Sequence, residues 1–266
     1  MKPLIYFSYG MTKSGSTLAY ELARSALVLA GLEQPRLSLA AVTNRKKINF
    51  IAHVDDPQAN AIRNEVASIG HTIAIKTHTR PDPQIVEMLE KGEAFGHAIY
   101  RDPRDMALSM LDHGERARAA GKPAFAEYVA VEDTIENIAH QTNTLRAWLS
   151  LPGVIPLYYD DFAFDIDATT ARIMAELGIN ADIDATIRMA TVERFTQLNK
   201  GVAARHNDEM APAISATFKE IFAPLYDTLI THRAALPRDG RPALAADAPL
   251  CRWDLVTART ATGETS

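Results

Sequence analysis

The chain has 266 residues, 47% of them hydrophobic, which is ample for the core of one large α/β domain and excludes disorder as its organising state. A formal charge of −5 argues against a general nucleic-acid or membrane-surface binder, so any anionic ligand must meet a local cluster of cations. Cys251 is the only cysteine, which rules out an intrachain disulfide and a cysteine metal cluster and fits a cytoplasmic location. The first apolar run covers only Leu4 to Phe7, and no later stretch nears eighteen apolar residues. Neither a signal peptide nor a transmembrane helix is expected.

Leu4 to Phe7 suits a buried parallel strand, and a Gly- and Ser-rich turn follows from Gly10 to Ser16. Leu18, Leu22, Ala26 and Leu29 then recur at helical spacing up to Gly31. Further strands are predicted at Thr72–His78, Phe95–Tyr100 and Val154–Tyr159, with a helix at Pro83–Lys91 closed by Gly92. Asp102 reads as an N-cap with Pro103 at the first helical position. Amphipathic helices are predicted through Ile135–Leu149 and Asp165–Leu177, the second closed by Gly178, and through Ile214–Leu229, with a polar loop at Asn199–Glu209 before the last. The alternation implies an α/β fold: a single domain (1–236) with a central parallel β-sheet flanked by helices, and a C-terminal tail (237–266) whose Leu250, Trp253 and Leu255 can dock on it.

The turn Gly10-Met-Thr-Lys-Ser-Gly15-Ser-Thr17 lies where backbone N–H groups and a helix dipole bind phosphate, so it is P-loop-like. Compared with the G-x-x-x-x-G-K-S/T loop, the glycine spacing is kept, but Ser16 stands where the lysine belongs and Lys13 lies inside the loop. That disfavours an ordinary kinase or ATPase. A structural turn with an exposed lysine has the same appearance.

Thr12-Lys-Ser-Gly-Ser-Thr-Leu18 resembles the first motif, P-K-S-G-T-T-W, of the sulfotransferases that use 3′-phosphoadenosine 5′-phosphosulfate (PAPS). The resemblance implies that Lys13, Ser14, Gly15, Ser16 and Thr17 hold the 5′-phosphosulfate. Leu18 departs from the family's adenine-stacking tryptophan, leaving a weaker apolar contact or another residue to hold the adenine. Arg101-Asp-Pro-Arg-Asp-Met-Ala-Leu-Ser109 is similar to the family's 3′-phosphate motif, in which Arg101, Pro103 and Ser109 keep the spacing and Arg104 and Asp105 fit a charged pair. A well-capped helix with a surface arginine explains Asp102 and Pro103 but not Ser109.

Strand alternation puts Lys76 and His78 on one face near a strand's carboxyl end, where open α/β sheets bind ligands. Ile75-Lys-Thr-His78 resembles the family's K-T-H segment. This implies His78 as general base, suited to the task if its pKa stays near the ordinary 6.5, with Lys13 stabilising the leaving phosphate and Lys76 assisting. The competing reading has a capping histidine and a solvated lysine.

Leu157-Tyr-Tyr-Asp-Asp-Phe162 resembles the strand ending in Y-E-D that brings a tyrosine, here Tyr159, to the adenine; a core tyrosine is the alternative. Lys200 and Gly201 match the R-K-G loop over the 3′-phosphate, with Asn199 in place of its arginine and Arg205 a substitute charge; a solvated loop fits almost as well. The other seven histidines lack zinc spacing, and no metal is expected.

The partners implied are PAPS and one acceptor hydroxyl or amine, with no nucleic acid and no membrane; a homodimer stays open. Acceptor choice is expected from Gln34–Gly70, which holds Arg45-Lys-Lys47, and from Leu111–Val131, where Arg116 and Arg118 read as surface residues. The competing functional classes are a small-molecule kinase using a nucleoside triphosphate and a nucleotide-binding regulator without catalysis.

Overall fold

A computed structural model describes residues 4–38, 42–43, 49–193 and 204–262. Six strands form one sheet in the order β2-β3-β4-β1-β5-β6. They are β1 (Ile5–Gly10), β2 (Val42–Thr43), β3 (Phe50–Ile51), β4 (Ile73–Thr77), β5 (Ala94–Tyr100) and β6 (Val154–Tyr158). Five run parallel, and the short β2 pairs antiparallel with β3 at the edge. The expected parallel α/β sheet is therefore present.

Helices cover both faces. They are α1 (Ser16–Leu29), α2 (Asp56–Ile69), α3 (Pro83–Glu90), α4 (Pro103–Ala119), α5 (Ile135–Leu149), α6 (Tyr159–Phe164), α7 (Ile166–Leu177), α8 (Ile183–Arg188), α9 (His206–Glu209), α10 (Pro212–Ile221), α11 (Ala223–Leu225) and α12 (Trp253–Thr262). Strand alternation divides the core in two. Ile5, Phe7 and Tyr9 of β1 join the larger cluster, whereas Tyr6 joins the smaller one beneath α1 and α7. In the larger cluster the fully buried Trp148 stacks on Tyr9 at 5.4 Å and donates its indole N–H to the Thr79 carbonyl at 2.9 Å. Burying a side chain of this kind contributes roughly 1.5–3 kcal/mol.

Several elements differ from expectation. The strand predicted through Tyr159 ends at Tyr158, because Tyr159 opens α6. The apolar repeat from Ile214 to Leu229 is not one helix. Pro224 lacks an amide hydrogen, so α10 gives way to α11 and then a wider turn over Tyr226–Ile230, while Phe218, Ile221, Leu225 and Leu229 all stay buried. The segment reserved for acceptor choice contains α2, whose N-terminus is a full capping box between Asp55 and Gln58. The run Arg45–Lys47 lies outside the described residues.

The residues read as a tail pack closely on the rest. Gly153 donates to the Gly240 carbonyl at 2.6 Å, Ala243 and Leu244 to Leu149, and Arg252 to Ile221, while Leu250, Cys251 and Val256 are buried in the larger cluster. No helix of the described residues is long and apolar enough to cross a membrane.

The strand order locates the site. From β1 the chain builds β3 and β4 on one side, then crosses to β5 and β6 on the other, so the carboxyl end of β1 is the switch point at which such sheets open a crevice.

Candidate functional site

The β1–α1 loop lies in that crevice, and two glycines set its shape. A Cβ on Gly10 would come within 2.4 Å of the Ser16 Cβ, so only glycine lets the strand end pass under the helix start. Gly15 caps α1 in the left-handed region at φ 83°, and a Cβ there would meet the Tyr159 ring at 2.6 Å. Ser14 ties the loop down by donating its hydroxyl to the Met11 carbonyl at 2.6 Å. The Thr12 amide donates to Gln141 Oε1 on α5. No side chain caps α1 and its first turn holds no acid, so its amides keep their positive end toward the crevice.

Three strand ends bring sequence-predicted residues to this loop. From β4, the buried Lys76 donates from Nζ to Thr17 Oγ1 at 2.7 Å. His78, just past β4, lies 2.7 Å through Nδ1 from the Gly10 carbonyl. A carbonyl only accepts, so Nδ1 carries the proton and Nε2 is the basic nitrogen. From β5, Arg101 reaches the Lys13 carbonyl at 3.5 Å and stacks on the Tyr159 ring at 4.0 Å, and Tyr159 itself comes from the end of β6. Ser109 is buried two turns along α4. Lys13 adopts φ 69°, unusual for a residue with a Cβ, and its Nζ donates to His113 Nδ1 at 3.3 Å.

The site is electropositive at its centre. Burial, reinforced by Arg116 and Arg101 and opposed by Asp112, pushes Lys13 down to about 8. Burial also brings Lys76 to about 8, against the pull of Glu21. Burial and then the Lys76 charge lower His78 to about 4, overriding the Gly10 hydrogen bond, so the ordinary value of 6.5 is not kept. A buried and a half-buried lysine with depressed pKa values beside free helix amides are what an anion site needs, because bound anionic charge restores their protonation.

Some expected arrangements differ. Arg104 and Asp105 do not pair with each other. The Arg104 fork grips Asp102 at 2.6 Å, and Asp105 accepts from Arg101 at 3.4 Å and from His206 at 2.9 Å. Arg205, offered as a replacement phosphate ligand, is buried between Asp112 at 2.9 Å and Glu209 at 2.5 Å. Leu18 is 9% exposed and belongs to the smaller core cluster, so it offers little face for a stacked base. Lys200 and Gly201 lie outside the described residues. Among the described residues no group of three or more His, Cys, Asp or Glu side chains could hold a metal ion.

Sequence reasoning passed over His113 and Gln141. They touch the loop across 100 and 129 residues of chain, and the only local signal was that His113 lies one helical turn beyond Ser109.

No protein-family model matches the chain, and no curated protein matches it significantly. Solved structures do. The mouse sulfotransferase SULT7A1 complexed with PAP aligns with TM-score 0.56 over 88% of each chain at 14% identity. Retinol dehydratase in complex with androsterone and the inactive cofactor PAP aligns with TM-score 0.51 at 16% identity, covering 82% of this chain and 79% of that one. Retinol dehydratase with retinol and PAP gives 0.50 at 15% identity, over 82% and 80%. The residues grouped at the β1 switch point thus stand on a chain with the sulfotransferase fold.

Proposed function

We propose that the protein transfers a sulfuryl group from PAPS to an acceptor hydroxyl or amine. The observation that carries the reading is the convergence of Lys13, Lys76 and Arg101, from three different elements, on the uncapped start of α1. The solved relatives hold PAP, which we read as adenosine 3′,5′-bisphosphate, the donor's remainder after transfer. The bound donor supplies an activated sulfuryl group on a phosphate leaving group.

The chain's own residues divide the work. The amides of the β1–α1 loop and of α1, with Ser14, Gly15, Ser16 and Thr17, hold the 5′ end. Arg101 and Ser109 take the 3′-phosphate, with Lys200 and Gly201 as further expected contacts. Tyr159, pressed between Gly15 and Arg101, offers the adenine an aromatic edge that Leu18 does not. Lys13 meets the negative charge that grows on the leaving oxygen, and Lys76 adds to it. His78 is neutral at pH 7 and takes the acceptor's proton at Nε2. A base of such low pKa gains strength as the sulfuryl group's negative charge offsets Lys76.

Calorimetric titration with adenosine 3′,5′-bisphosphate, 5′-AMP and magnesium ATP tests the reading. Preference for the bisphosphate supports it and calls for an acceptor screen. Preference for ATP, or no binding by folded protein, overturns it.

A further inference from the structure

A groove of about 610 Å³ runs along the outer edge of β6, between α7 and the segment 231–238. Its charges are unevenly matched. Arg233 is occupied, bonded to Asp161 at 3.3 Å and laid over the Tyr158 ring at 5.1 Å. Asp165 is also spent, as the N-cap of α7.

Arg172 and Arg238 differ. Arg238 is exposed and makes no ion pair among the described residues, and its charge acts on Arg172. Arg172 Nε is buried with no hydrogen-bond partner, and the nearest carboxylate oxygen, on Glu176, is 3.9 Å away and equally unbonded. Burial pushes Glu176 well above the usual carboxylate range, against the pull of Arg172 and of the Tyr6 hydroxyl. On the facing wall, Asp160 Oδ1 is buried and unbonded as well. Arg172, Arg238 and Asp160, whose carboxylate also accepts from the Tyr158 hydroxyl, thus line a common space, with the exposed Phe164 ring at its lip.

We propose that this groove is a second binding site, separate from the crevice at β1, for a small oxyanion that also carries a hydroxyl or amino group. The anion lies between Arg172 and Arg238, and its hydroxyl or amine donates to Asp160. Phosphate, sulfate and carboxylate share the required geometry.

The test titrates glycerol 3-phosphate, glycerate and glycerol into isotopically labelled protein and follows amide shifts at residues 168–172 and 231–238. Saturable shifts there with either anion, and none with glycerol, are expected; the tighter anion identifies the class. Arg238→Gln, at an exposed position, should weaken binding about tenfold or more, and Arg172→Gln similarly, while Lys13→Gln leaves it intact. The site is overturned if glycerol binds equally well, if neither anion shifts these amides, or if Lys13→Gln abolishes binding and Arg238→Gln does not.

Discussion

Two helices start side by side at the carboxyl ends of the central strands, and their first turns are built in opposite ways. At α1 the cap is Gly15, no side chain closes the free amides, and neither Lys13 nor Lys76 forms an ion pair among the described residues. At α4 Asp102 caps the Arg104 amide, receives the Arg104 fork and accepts the Tyr226 hydroxyl at 2.8 Å. Both regions are buried and rich in cations, so positive charge alone does not mark the site. What separates them is pairing. A buried cation with its carboxylate supports the fold, whereas a buried cation without one costs stability until an anion arrives.

The largest expected effect would break the contrast at the level of chemistry. If reaction takes place on the α1 side, His78→Ala should lower sulfuryl-transfer turnover by about 10²–10⁴-fold and leave bisphosphate affinity unchanged. Turnover surviving that change removes His78 as the base. The wild-type acid limb sharpens the assignment. His78 must be unprotonated to accept a proton and its pKa in the free protein is lowered to about 4, so kcat/KM for the donor should persist below pH 6 and fall only as the pH approaches 4. A limb near 6.5 would point to another group.

Stability should show the contrast in mirror image. Asp102→Ala leaves Arg104 buried without its partner and removes the α4 cap, so it should cost roughly 3–5 kcal/mol in urea unfolding. Lys76→Met removes a buried, unpaired ammonium and should leave stability equal or higher while weakening bisphosphate binding. Equal losses from the two changes would erase the distinction between the helices.

This division was only partly legible in the sequence. Lys76 and His78 could be placed because period-two alternation aims both into the crevice from a strand end, Arg101 because it ends a strand, and Lys13 because it lies in the Gly-rich loop, each with the help of the motif resemblance. The capping box at Asp55 and Gln58 was equally legible as a local signal, yet α2 lay within a segment read only for acceptor choice. Pairing is different, because it depends on residues distant in sequence. Nothing near Asp105 indicates His206, and nothing near Lys13 indicates His113. Arg205 falls between, since Glu209 at the i+4 position was readable and Asp112 was not.

A smaller effect should appear as proton linkage. Lys13 and Lys76 titrate at about 8 in the free protein, and a bound bisphosphate raises both values. Binding at pH 8 should therefore take up protons, and affinity should fall as pH rises through 8, by at most about tenfold per pH unit for each lysine. Calorimetry in buffers of different ionisation enthalpy measures the uptake. Zero uptake at pH 8 would mean the lysines do not face the ligand.

The smallest effect concerns His113, which makes Lys13 an intermediate case: a cation with a neutral partner. An ammonium only donates, so His113 Nδ1 accepts at 3.3 Å and steadies Nζ without neutralising it, while the Phe125 ring packs edge-on against the imidazole at 5.0 Å. His113→Leu removes the acceptor but keeps an apolar surface for Phe125, and should lower kcat about five- to tenfold, near the value of one hydrogen bond. The same loss disfavours the charged lysine, so the alkaline limb of kcat should move to lower pH. His113→Asn, which keeps an acceptor oxygen, should recover part of both. A merely structural role would lower stability and leave the alkaline limb in place, and that result would return Lys13 to the class of cations held by burial alone.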